Sequence, residues 1–253
     1  MIATILLGSA ALPAAIEVRR FAAAEARQGV AAGHRSFYAI DNSTIARYNK
    51  RSGRQLAIWR ADPVRYPHIN SCAVVADLLV CANSNYPAVP MRSSVVWLDA
   101  KTLAVVREHD LGAGFGSLTW LDWRQDSWWA CYAHYDGKGG EPGRDHRATR
   151  LVRYDAEFRV IASYRFPDEV LAHFAPRSAS GGAWGRNGAL YVSGHDRPEI
   201  YRLAVPKSGT TLILEAVIAT PTHGQAIGID RRDANLLWSI DRSSKAVVES
   251  RLP

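Results

Sequence analysis

No stretch after residue 20 is apolar for long enough to cross a bilayer as a helix, which takes about 20 residues, so no transmembrane segment is predicted. No block of five or six like charges occurs either. That argues against a nucleic-acid tail. The formal net charge of +7 comes from arginines scattered along the chain and favours no more than an anionic ligand or surface. The compact signatures of several chemistries are missing: H-E-x-x-H and C-x-x-C, the D-x-D-x-D-G loop, G-x-S-x-G, and G-x-G-x-x-G after a strand. Their absence excludes a zinc site on one segment, an EF-hand, a nucleophile elbow and a Rossmann unit.

Cysteine is scarce, at three. Cys72 and Cys81 flank Ala73–Val80, and a two-residue turn at Ala76-Asp77 sets them opposite each other on a hairpin. Directly opposite residues hold their Cβ atoms about 4.5–5.5 Å apart, whereas a disulfide prefers about 3.5–4.5 Å. A bridge and a pair of buried thiols therefore both fit. Cys131 reads as core. Residues 1–15 look like a shortened secretory signal, with an apolar stretch and small residues at Ala11–Ala15 but no basic start. The chain is accordingly expected to be periplasmic or secreted, with residues 16–253 as one domain. A mis-called start codon and a short N-terminal helix are the other readings.

What is present is a weak repeat, about every 40–55 residues, the range of propellers and solenoids. Each unit opens with a small, glycine-rich apolar strand: Gln28–Ala32, Asn70–Val74, Gly116–Trp120, Ser180–Trp184 and Gln225–Ile229. A strongly apolar strand follows: Ser36–Ile40, Leu78–Ala82, Ser127–Cys131, Ala189–Ser193 and Asn235–Ile240. The third strands are Thr44–Tyr48, Ser94–Leu98, Arg150–Tyr154, Glu199–Leu203 and Ala246–Ser250, and a last strand closes each unit. Turns fall at Asn49–Gly53, Asp99–Thr102 and Asp155–Glu157, and as hairpins at Ala76-Asp77 and Asn187-Gly188. The only helix-like run is Pro167–Phe174. The fold predicted is all-β: a five-bladed β-propeller of four-stranded antiparallel blades, with Ala14–Glu25 supplying an outer strand that closes the ring.

Gln28–Ala31 with Ile45–Gly53, and Gly188–Val192, carry a resemblance to propeller repeat families. These are the NHL and YncE-like repeat proteins, the streptogramin-lyase-like proteins and the five-bladed glutaminyl cyclases. The resemblance implies a site at the axial end of the channel. It is repeat-level and transfers no catalytic residue.

Innermost strands line a propeller channel, and their first residues form a polar ring: Gln28, His68 with Asn70, Ser117, Ser180, and His223 with Gln225. Loops after the second strands add Asp41-Asn42, Asn85 and Tyr86, His134 to Asp136, His195-Asp196 and Asp241-Arg242 at the same end. His134 and His195 are the predicted proton-moving residues. The longest polar insertion, His134–His146, adds Glu141 as an acid or base and Arg144 as a carboxylate clamp. Tyr86 and Tyr135 suit stacking on a planar ligand or sugar. No cofactor is legible. A divalent metal, if one binds, is assembled across blades from His68, His134, His195 and His223, with Asp136 or Asp196.

These residues predict a monomeric, exported enzyme of the lyase, cyclase or hydrolase kind. It acts on a small anionic molecule at the channel mouth, with no nucleic-acid partner. The alternative is a non-catalytic propeller that binds a protein or glycan.

Overall fold

The second strands are uninterrupted apolar runs because both of their faces are buried. In the computed structural model, which describes residues 12–185 and 188–253, β7 (Leu78–Ser84) shows how. Leu79 and Cys81 point into one apolar cluster, and Val80 and Ala82 into the next. Five such clusters, one per blade interface, make up the core.

The chain is a five-bladed β-propeller of four-stranded antiparallel sheets. The first blade is β2 (Gly29–Ala32), β3 (Ser36–Asp41), β4 (Thr44–Asn49) and β5 (Gln55–Arg60), running outward from the axis. The second is β6 (His68–Val75), β7, β8 (Arg92–Asp99) and β9 (Val105–Ala113), and the third is β10 (Ser117–Arg124), β11 (Ser127–Ala133), β12 (Arg150–Tyr154) and β13 (Val160–Arg165). The fourth is β14 (Gly181–Trp184), β15 (Leu190–Ser193), β16 (Glu199–Ala204) and β17 (Ile213–Ala219). In the fifth, β18 (Gly228–Ile229), β19 (Leu236–Asp241) and β20 (Ala246–Arg251) are completed by β1 (Ile16–Ala22), antiparallel to β20. The predicted closure by the N-terminal segment is therefore present.

Small residues open the inner strands because the blades crowd the axis. A Cβ on Gly29 would lie 2.3 Å from the Cβ of Ala226, and one on Gly182 would lie 2.3 Å from Trp120 Cε2. Ala226 pairs sideways with the first blade instead of with its own: its N–H donates to Gln28 O (3.0 Å) and its carbonyl accepts from Val30 (3.3 Å). That shortens β18 to two residues, against the five expected.

The turns are built as their side chains dictate. Asn49, Asp99 and Asp155 each accept backbone N–H bonds from residues two to four further on. Helix α1 (Asp168–Phe174) buries Val170, Leu171 and Phe174 between the third and fourth blades. Cys72 and Cys81 are partners in register and form a disulfide, while Cys131 is a buried free thiol. No helix among the described residues is long and apolar enough to cross a membrane. The proposed signal lies mostly outside the described residues, but Ala15 already hydrogen-bonds Ala219 O (2.8 Å). The proposed Asn187-Gly188 hairpin also falls partly outside them.

Candidate functional site

Each blade sends one polar residue from the start of its inner strand to one end of the channel. Gln28, Asn70, Thr119, Ser180 and Gln225 line a common cavity of about 270 Å³ there, near the lower limit of ligand pockets, roughly 300 Å³. Two of them are aimed by β-bulges, which re-aim a side chain by adding a residue to one strand. The register slips between Ile69 and Ser71 and between Leu118 and Trp120, leaving Asn70 and Thr119 as the extra residues. Gln225 is held at φ 67°, a left-handed conformation uncommon for a side-chain-bearing residue. Such strain clusters at functional sites. Asn70 gives its amide N–H groups to Leu118 O (2.7 Å) and Ser84 Oγ (3.1 Å), and its side chain also acts on the His68 ring.

His68, Tyr86, Tyr135, Ser178 and His195 complete the polar and aromatic wall, and Arg177 and Arg242 the cationic one. His68 is anchored through Nδ1, which lies 2.7 Å from Asn42 Oδ1. Asn42 turns that oxygen inward because its own Nδ2 donates to Asp41 Oδ1 (3.3 Å); Gln28 Nε2 donates to the same oxygen (3.0 Å). An amide oxygen only accepts, so Nδ1 carries the proton and Nε2 is the unprotonated nitrogen of the ring. Burial drives the His68 pKa from 6.5 down to about 4, keeping the ring neutral. Its ring packs on Tyr86 (centroids 5.1 Å), and Tyr86 meets Tyr135 edge-on (5.1 Å). Burial also raises the Tyr135 phenol well above its ordinary range. His195 stands at the rim with Nδ1 2.5 Å from Asp196 Oδ1.

No aspartate or glutamate lines the cavity. Among the described residues, neither Arg177 nor Arg242 pairs with a carboxylate. A recess with no acidic residue in its lining, walled by two guanidiniums, amides and hydroxyls, suits an anion.

The chain matches no family model and no curated protein. It is similar in structure to Myxococcus xanthus glutaminyl cyclase (11% identity, 95% of this chain and 97% of that one, TM-score 0.62). It is similar also to U3-55K (11%, 95% and 100%, 0.52) and to Kuenenia stuttgartiensis hydrazine synthase (10%, 88% and 82%, 0.50). At such identities the likeness is one of fold.

Several predicted site residues lie elsewhere. Ser117 is fully buried and donates to Ser84 Oγ (3.0 Å); the bulge gives its expected place to Thr119. His134 tucks under Gly116, with Nε2 3.0 Å from Phe115 O, and burial lowers its pKa. Glu141 accepts from Met91 N (2.8 Å), and Arg144 donates to Gly114 O (2.9 Å). Both latch the long loop to the blade edge and do not line the cavity. Asn85 shapes the turn that carries Tyr86, accepting from Arg92 N (2.8 Å) and donating to Pro90 O (3.0 Å). His223 is exposed and lines a neighbouring cleft with its Nδ1 on Asp196 O (2.9 Å).

His68, His134, His195 and His223 do not assemble as a metal-ligand set. Among the described residues the one cluster of three ligand-type groups is Asp136, Asp145 and His146. Its donors are already engaged: His146 Nδ1 lies 2.6 Å from Asp136, and Asp145 pairs with Arg147. Sequence reasoning missed Thr119, Arg177 and Ser178, and named Arg242 only as part of a loop.

Proposed function

We propose that the cavity binds a small anionic molecule and acts on it by general acid–base chemistry, in a reaction of the lyase or cyclase kind. His68 is the base. Its Nε2 is the unprotonated nitrogen, its ring is fixed by Asn42, and burial keeps it neutral at physiological pH. His195, held by Asp196 at the rim, is the residue placed to return a proton. Gln28, Asn70, Thr119, Ser180 and Gln225 orient the ligand, and Tyr86 and Tyr135 flank it. The observation that carries this reading is the pairing of a neutral, Nδ1-anchored histidine with two guanidiniums in a recess that holds no carboxylate. A cationic substrate would meet repulsion there and no carboxylate in the lining to pair with.

Glutaminyl cyclase, similar in fold, is an enzyme, which supports catalysis on this architecture. The Cys72–Cys81 disulfide supports export, since disulfides persist in oxidising compartments.

The test is a melting-temperature screen against small carboxylates and phosphate esters at neutral pH, followed by incubation with each hit and mass spectrometry. The expected result is a group of anions that raise the melting point of the wild type, at least one of them converted, with conversion lost in His68→Asn. Binding with the ligand recovered unchanged favours the non-catalytic alternative. No shift with any anion overturns the proposal.

A further inference from the structure

The two cavity arginines approach from different sides of the ring. Arg177 follows α1 on the link into β14, where the third and fourth blades meet. It lies close enough to Tyr135, of the third blade's long loop, to act on its phenol. That loop is tied to the same link by the bond from Asp136 N–H to Pro176 O (3.3 Å). Arg242 sits in the β19–β20 hairpin of the fifth blade, on the side of the first, where it acts on Asp41. The two boundaries are two blade steps apart in a ring of five. Both guanidiniums border one small cavity, and neither has a carboxylate partner among the described residues.

Two such charges repel each other, and neither is held in a salt bridge among the described residues: Asp41 pairs with Arg27 and reaches Arg242 only at longer range. A ligand with one anionic group can pair with only one of them, leaving the other guanidinium without a counter-charge. From the opposed positions of Arg177 and Arg242 we infer that the ligand is a small dianion, with two anionic groups joined by a short spacer. One group pairs with Arg177, the other with Arg242, and the spacer lies along Tyr86 and Tyr135 in front of His68. The inference rests on the anionic reading of the cavity and adds the number and placement of the charges. Guanidinium–carboxylate pairing is directional and often bidentate, so the distance between the two arginines selects the spacer length.

Calorimetric titration of the full chain with matched pairs tests this: succinate against succinamate, glutarate against glutaramate, and adipate against its monoamide. Each pair has the same shape and differs by one charge. At least one dianion is expected to bind about tenfold tighter than its monoamide, one charge-assisted hydrogen bond being worth about that much. In Arg177→Met and in Arg242→Met, melting curves are expected to stay close to wild type because both side chains reach solvent, while the preference for the dianion collapses. Equal binding of dianion and monoamide, or a preference that survives both substitutions, overturns the dianion inference and leaves the anionic site standing. Failure of every carboxylate to bind overturns the dianion inference, and failure of the phosphate esters as well overturns the anionic site.

Discussion

Arg231 donates to Asp122 at 2.8 Å, joining the fifth blade to the third, which is not its neighbour in the ring. Asp122 lies near the far end of inner strand β10, and Arg231 just beyond inner strand β18. The pair therefore bridges the bore at the end opposite the cavity. Asp122 is 1% exposed and also accepts from Trp123 N (2.9 Å) and Trp184 N (3.3 Å). Arg231→Met strands this carboxylate and is expected to cost about 2 kcal/mol, below the usual loss for a fully buried pair because Arg231 is partly exposed. Asp122→Asn in the same chain should recover part of it. Urea unfolding of the single and double variants checks this; a single variant as stable as wild type contradicts it.

His68 sets a pH dependence. Its pKa falls from 6.5 to about 4 on folding, so the unfolded chain takes the proton first as pH drops. The stability from the neutral buried ring is complete above about pH 6.5, declines between there and about pH 4, and is gone below. The full difference is up to about 3 kcal/mol. In His68→Asn, whose amide can still donate to Asn42, stability should fall less across that interval than in wild type. Parallel slopes in the two chains would contradict the assignment.

Thiol counting reads the disulfide. Cys131 is fully buried, and burial pushes its thiol up to about 12. The native protein should therefore label at no cysteine, the unfolded unreduced chain at one, and the unfolded reduced chain at three. Three labels without reductant would show that Cys72 and Cys81 are free.

Close packing at the axis predicts a contrast between glycines. Gly29→Ala drives a methyl into Ala226, where the first and fifth blades hydrogen-bond, and should cost about 2–3 kcal/mol. Gly137→Ala, where a Cβ meets nothing within 4 Å, should change stability by less than about 0.5 kcal/mol. Thermal melts of the two variants separate them, and equal losses would refute the packing argument.

The blades were legible because their inner three strands carry strong, different patterns. Second strands buried on both faces read as apolar runs, and three of the third strands, β4, β8 and β12, run into turns at Asn49, Asp99 and Asp155. The outer strands were harder to locate: β9, exposed along most of its length, has little alternation to read. At the site, Gln28, His68, Asn70, Ser180 and Gln225 could be found because strand starts recur with the repeat. Thr119 could not, since a bulge shifts the register and bulges have no fixed sequence mark. Arg177 and Ser178 lie on a link outside the repeat, positioned by the packing of α1 that no periodicity reports. His134 looked like a mouth residue by its place after β11, but Gly116, at φ 117°, lets the chain fold over it.

The most direct test of the account is proton uptake on anion binding. An anion seated beside His68 raises its pKa from about 4, so binding should draw in a fraction of a proton and strengthen toward pH 5.5, while at pH 7.5 the ring stays mostly neutral, the form that acts as base. Calorimetric titration of the tightest-binding anion, in two buffers of different ionisation enthalpy, measures that proton count. The account predicts uptake of a fraction of a proton in the wild type and markedly less in His68→Asn. Binding with no uptake, or with the same uptake in both chains, would contradict the placement of the ligand against His68.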